Sequence, residues 1–70
     1  MREDKIATIM KKKGDIIKKK ELYDKLYAIF QNMESSVASV RMALRTSYIK
    51  EQGDYFIANR DSKVVDKTNS

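Results

Sequence analysis

The sequence of 70 residues contains neither cysteine nor histidine, and these absences remove several classes of function. Without cysteine the chain has no disulfide framework and no thiolate zinc site. Without histidine it lacks the commonest metal ligand and the usual general base. Its ten acidic residues form no recognisable acid–base pair and no calcium-loop spacing. The sequence therefore predicts no enzyme, no catalytic or metal-binding residue and no cofactor.

Long hydrophobic runs are missing as well. The longest, Leu26–Phe30, has five residues, whereas a membrane-spanning helix needs about 20. The first residues also lack the apolar segment of a secretory signal peptide. We therefore expect a cytoplasmic protein without a membrane partner, lying in the host-cell interior or the nucleoid if its source is viral. The length suits one small domain, which buries only about 60% of its unfolded surface.

Positive charge is concentrated near the start of the chain. Residues 1–20 carry eight basic and three acidic side chains, which leaves +5, whereas the remaining residues sum to zero. Six of these cations form two triplets, Lys11–Lys13 and Lys18–Lys20. Like charges are costly to gather unless a partner or solvent screens them. The pattern favours a surface that meets a polyanion; the alternative is a solvated surface that reflects a lysine-rich coding bias.

The spacing of apolar residues predicts a first helix over Glu3–Lys13, which Gly14 ends in the left-handed conformation. The next segment, Asp15–Lys18, is too short for a helix. We predict that it is extended and pairs with the edge of a later hairpin, which would make a three-stranded sheet. The apolar positions of the first helix are Ile6, Ile9 and Met10.

A second helix is predicted over Lys19–Phe30, with Tyr23 and Tyr27 beside its apolar stripe. Three lysines, Lys18–Lys20, lie at its N-terminus, and no Ser, Thr, Asp or Asn is in reach to cap it. Each such mismatch with the helix dipole costs about 0.3 to 1 kcal/mol. Backbone amides and lysines at a helix start can bind phosphate, so this costly arrangement points to function. The stripe consists of Leu22, Leu26, Ile29 and Phe30.

A third helix is predicted to follow the polar connector Gln31–Glu34, with Ser35 or Ser36 as its cap. At 3.6 residues per turn, one face should pack on the core and the opposite face should meet solvent. The expected core face is Val37, Val40, Ala43 and Leu44. The expected outer face is Ala38, Ser39, Met42, Arg45 and Thr46, with Arg41 at its boundary.

The chain then predicts a β-hairpin, from Tyr48–Gln52 to Tyr55–Arg60, around the two-residue loop Gly53-Asp54. Glycine at the first loop position is typical of a type II′ turn. This turn sets the register, and both faces of the hairpin then carry apolar side chains. We favour Ile49, Phe56 and Ala58 for the core; the alternative is the face with Tyr55 and Ile57. Polar, aperiodic residues 62–70 predict a flexible C-terminal tail after a domain over residues 1–61.

The order of these elements, together with three short runs, resembles winged helix-turn-helix regulators. The runs are Lys20-Glu21-Leu22-Tyr23, Ser39-Val40-Arg41-Met42-Ala43-Leu44-Arg45 and Gly53-Asp54-Tyr55-Phe56. The resemblance covers residues 4–60 and implies an α+β, mainly helical fold of three helices and a β-hairpin wing. Two features depart from the pattern: the second helix lacks a Ser or Thr cap, and the wing tip Gln52–Asp54 is short and not basic.

The resemblance implies a transcriptional regulator of the small, free-standing type found in viruses and plasmids, which reads duplex DNA with its third helix. The residues expected to face bases are Ser36, Ser39, Arg41, Met42 and Arg45. The residues expected to bind phosphates are Lys11, Lys12, Lys13, Lys18, Lys19 and Lys20.

Two other functions fit the same sequence. One is a protein-interaction module that docks on a polymerase, nuclease or host factor of the transcription or replication machinery through Tyr23, Tyr27 and Met42. The other is an architectural or recombination accessory factor that binds DNA with little sequence preference. The tyrosine pair also suits a homodimer interface, although such a pair more often flanks a core.

Overall fold

The computed structural model describes residues 3–62 and shows an α+β fold with a three-stranded antiparallel sheet. The three predicted helices, the hairpin and the additional short strand are all present. No helix within the described part of the chain is long and apolar enough to cross a membrane. The elements are α1 (Glu3–Ile9), β1 (Ile16–Lys18), α2 (Lys19–Phe30), α3 (Met33–Arg45), β2 (Ile49–Gln52) and β3 (Tyr55–Ala58).

The sheet has the strand order β1-β3-β2, and the hairpin has the predicted register. Ile49 pairs with Ala58 and Gln52 with Tyr55, so the loop contains only two residues. Of these two, only Gly53 has a positive φ, +58°. A type II′ turn needs a positive φ at its first central position, where glycine has no steric cost.

The inward side of the hairpin packs on the helices and forms the core. Ile49, Phe56 and Ala58 are buried, as predicted. Tyr48, just before β2, is also buried, and its hydroxyl donates to the Met10 carbonyl at 2.6 Å. The helices supply the other buried apolar side chains: Ile6, Ala7, Met10, Leu22, Leu26, Val40 and Ala43.

Two predicted helix boundaries are wrong, and in both cases a side chain binds the backbone. Helix α1 ends at Ile9, because the Asp15 carboxylate accepts the N–H groups of Lys11 and Lys12, at 2.9 Å each, and turns the chain there. Helix α3 begins at Met33, because the side chain of Asn32 caps it by accepting the N–H of Ser35. Asparagine is among the preferred N-cap residues.

The apolar stripe of α2 is narrower than predicted. Leu22 and Leu26 are buried and Phe30 is partly buried, but 45% of Ile29 is exposed. Ile29 lies on the flank of the stripe at the C-terminal end of the helix, and the core does not reach it. The predicted tail is described only as far as Ser62, whose N–H donates to the Lys11 carbonyl at 2.6 Å; residues 63–70 lie outside the described residues.

Candidate nucleic-acid interface

Helix α3 is rotated relative to the prediction. Ser36 and Ser39 are completely buried, together with Val40 and Ala43. The prediction that these two serines face bases is therefore wrong. Val37 and Leu44, expected in the core, are only partly buried.

Buried serines are acceptable here because serine is small and can form hydrogen bonds with its own helix. The Ser36 hydroxyl donates to the Asn32 carbonyl at 3.0 Å. Within the described residues no buried side-chain polar atom lacks a hydrogen-bond partner. Small side chains also let α3 lie close to α1 and α2, the helices that it packs against.

The face of α3 opposite the buried serines carries a row of mostly charged side chains. At 3.6 residues per turn, Glu34, Ala38, Arg41 and Arg45 follow one another along this face. Both arginines are exposed, and Met42 beside them is 40% exposed. Among the side chains of residues 5–62, no ion pair involves either guanidinium. Both arginines that were predicted to face bases are therefore exposed as expected, and so is Met42. Glu34 and Ala38 lie where the two serines were predicted.

Lys11–Lys13 form a turn whose backbone is held by carboxylates while their side chains are exposed. Asp15 binds the first two amides of this turn, and Asp61 accepts the Lys13 N–H at 2.8 Å. The turn thus presents three exposed lysine side chains from a backbone that two carboxylates hold in place. The sequence pattern did not reveal that Asp15 and Asp61 have this role.

We expect Asp15→Ala to lower the free energy of unfolding by about 1 to 2 kcal/mol, because two amide hydrogen bonds to a carboxylate are lost. Urea unfolding followed by circular dichroism measures this change. Asp24→Ala, a change at an exposed aspartate of α2, is the matched control and should have a much smaller effect. Equal effects of the two substitutions would contradict a structural role for Asp15.

The second lysine triplet is divided by the fold. The Lys19 ammonium lies 2.5 Å from a carboxylate oxygen of Glu51 and 5.7 Å above the Phe56 ring. Its backbone N–H donates to the Asp54 carbonyl at 2.8 Å. A carbonyl group of the hairpin loop thus accepts one of the first N–H groups of α2, a helix that has no side-chain N-cap. Lys19 connects α2 to the hairpin, so the lysines of this triplet that remain available to a phosphate are Lys18 and Lys20, both exposed.

The two tyrosines of α2 have different environments. Tyr23 is partly buried, and its ring meets that of Phe56 edge to face, with 6.3 Å between centroids. Tyr27 is 48% exposed. Tyr23 therefore belongs to the edge of the core, and only Tyr27 is well placed to contact a partner.

No group of three or more potential metal-ligating side chains occurs within the described residues. Comparison of the chain with protein-family models, curated proteins and solved structures finds no match.

Proposed function

We propose that the chain is a small DNA-binding protein with a winged helix-turn-helix fold, and that it regulates transcription. The observation that carries the proposal is the exposed face of α3, on which Arg41 and Arg45 stand one turn apart, opposite the buried face. The order of the elements and the pairing of β1 with the hairpin support this fold. In such domains the third helix enters the major groove.

The exposed face of α3 has the chemistry that base reading requires. A guanidinium can donate two hydrogen bonds to O6 and N7 of guanine, and an apolar side chain such as Met42 can contact the methyl group of thymine. Ala38 is small enough to let the helix backbone come close to the bases. Glu34, at the N-terminal end of this face, can accept a hydrogen bond from N4 of cytosine.

In this proposal the lysines bind the phosphate backbone and contribute affinity without sequence preference. Lys11–Lys13 together with Lys18 and Lys20 are the candidates, because their side chains are exposed. Lys19 is assigned to the ion pair with Glu51 instead. The loop between β2 and β3 carries an aspartate and no cation, so we do not expect it to enter a minor groove.

A salt titration tests the proposal directly. Fluorescence anisotropy of a labelled random-sequence duplex should show binding whose logarithmic affinity falls by about 0.9 for each phosphate contact per tenfold rise in salt. No binding at low salt would refute the proposal. Binding with no preference between a selected site and random DNA would favour the architectural factor over the regulator.

We expect Lys18→Gln combined with Lys20→Gln to weaken binding to all duplexes alike and to lower the salt slope by up to about 1.8, or 0.9 for each contact. The same anisotropy titration measures this change. Lys25→Gln, which removes an exposed cation farther along α2, is the control for net charge. Equal slopes for the double variant and the control would remove Lys18 and Lys20 from the interface.

A protein-interaction module is the second candidate. The exposure of three large apolar side chains near the junction of α2 and α3 favours it: Tyr27 at 48%, Ile29 at 45% and Met33 at 55%. Association through this surface would depend weakly on salt, in contrast to DNA binding. Salt-insensitive capture of a polymerase or nuclease subunit, lost in Met33→Glu, would favour this function.

A further inference from the structure

The sheet has an outer face that points away from the helices. Because side chains alternate along a strand, Tyr55 and Ile57 of the central strand β3 lie on this face, opposite the buried Phe56 and Ala58. The register places Ile16 and Lys50 on either side of Ile57. It places Lys18 and Gln52 on either side of Tyr55. We call these six positions the outer sheet face: Ile16, Lys18, Lys50, Gln52, Tyr55 and Ile57.

The outer sheet face combines apolar surface with positive charge. Ile16 is 59% exposed, Tyr55 is 38% exposed and Ile57 is partly buried. Residues directly opposite in a sheet lie about 5 Å apart, and diagonal neighbours about 7 to 8 Å apart. The three apolar side chains therefore form one continuous strip. Lys18 and Lys50 are exposed at diagonally opposite corners of this strip, and none of the six positions is acidic.

We propose that the outer sheet face binds single-stranded nucleic acid, with one base stacked on Tyr55 and neighbouring phosphates at Lys18 and Lys50. Single-strand binding surfaces combine aromatic rings that stack on bases with cations that follow the backbone. The outer sheet face supplies both, and its positive charge complements a phosphate chain. Ile16 and Ile57 offer apolar surface to the sugar and base beside the stacked one.

A second copy of the chain fits this face poorly. A stable interface involves about 20 to 30 residues on each side, whereas this face has six positions. An isologous dimer would also bring the lysines of two copies close together, and like charges facing each other are unfavourable. An acidic peptide could pair its carboxylates with the lysines but would not stack on the ring of Tyr55. The test below therefore includes an acidic peptide as the alternative ligand.

This binding face is separate from the α3 face proposed to read duplex DNA. Arg41 and Arg45 lie on α3, which packs against α1, α2 and β2, whereas Tyr55 and Lys50 lie on the side of the sheet that faces away from the helices. Substitutions at Tyr55 and Lys50 should therefore leave duplex binding unchanged. Lys18 is common to both proposals, whereas Tyr55 and Lys50 belong to the outer sheet face alone, so tests at these two residues let one proposal fail while the other stands.

The test uses the full chain and a short fluorescein-labelled oligothymidylate, with binding followed by anisotropy and by quenching of tyrosine fluorescence. We expect Tyr55→Ala to weaken binding about tenfold or more, and Tyr55→Phe to retain it, because the phenyl ring still stacks. Tyr27→Ala is the matched control, since Tyr27 is an exposed tyrosine on α2. It should bind like the unchanged chain.

Lys50→Gln should lower the salt slope by about 0.7, the value for one phosphate contact in a single strand, whereas the control Lys25→Gln should not. Circular dichroism establishes that each variant is folded. Equal affinity of Tyr55→Ala and Tyr27→Ala would overturn the proposal. A lack of oligothymidylate binding would also overturn it. If the chain bound polyglutamate and not oligothymidylate, the outer sheet face would be assigned to an acidic peptide.

Discussion

Replacing Phe56 by alanine should lower the free energy of unfolding by about 3 to 5 kcal/mol, the usual cost of removing a buried phenyl ring. Only 2% of Phe56 is exposed. Its ring meets Tyr23 edge to face and lies under the Lys19 ammonium. A domain of this length has a total stability of roughly 4 to 10 kcal/mol. The remaining stability is then about −1 to 7 kcal/mol, so the unfolding midpoint should fall steeply, and at the lower end of this range the variant is largely unfolded at room temperature.

Urea unfolding followed by circular dichroism and tyrosine fluorescence measures this loss. Tyr55→Ala is the matched control, because it removes an aromatic ring from the neighbouring position on the opposite side of β3, where 38% of the side chain is exposed. We expect this control to retain most of the stability. Equal unfolding midpoints for Phe56→Ala and the unchanged chain would mean that the ring contributes little to the core.

The hairpin could be predicted from sequence because its determinants are local. A glycine at the first position of a two-residue loop fixes the turn type, the turn fixes the register, and the register decides which side chains share a face. Ile49 and Ala58 then lie on one side with Phe56, as the structure has them. The pairing of β1 with this hairpin was also predicted, from a short apolar segment that had no other element to join.

The rotation of α3 was not predictable from apolar spacing alone. Val37 and Leu44 are more hydrophobic than Ser36 and Ser39, so a hydrophobic pattern places the valine and leucine inward. The structure buries the serines, whose hydroxyls can be satisfied within the helix and whose small size suits close packing. Recognising Asn32 as the N-cap would have corrected the start of the helix, though not its rotation.

The roles of Lys19 and Asp61 depend on contacts between distant parts of the chain. The Lys19 ammonium group pairs with the Glu51 carboxylate, whereas Asp61 accepts the backbone N–H of Lys13 and leaves its ammonium group exposed. A count of lysines treats all six as equivalent phosphate ligands, because it cannot show which ammonium groups the fold already engages. The three-dimensional arrangement thus reduces the candidate phosphate ligands to five and fixes Lys11–Lys13 in a defined turn.

Replacing both Arg41 and Arg45 by alanine should abolish the preference for a cognate duplex over random DNA. Each bidentate contact of a guanidinium with guanine contributes about 1 to 3 kcal/mol of discrimination. Binding to random DNA should fall much less, since in the proposed interface the lysines supply the phosphate contacts. The cognate duplex is obtained by selection from a random library with the unchanged chain, and anisotropy titrations against both duplexes give the specificity ratio.

The variant with Arg41→Lys and Arg45→Lys separates charge from geometry. Lysine keeps the positive charge but lacks the planar fork that makes two hydrogen bonds to one guanine. We therefore expect this variant to bind random DNA like the unchanged chain and yet to lose most of the specificity ratio. An equal loss on both duplexes in the alanine variant would make the arginines phosphate contacts and favour an architectural factor. No loss on either duplex would remove α3 from the DNA interface and favour the protein-interaction module, because the exposed face of α3 would then need another partner.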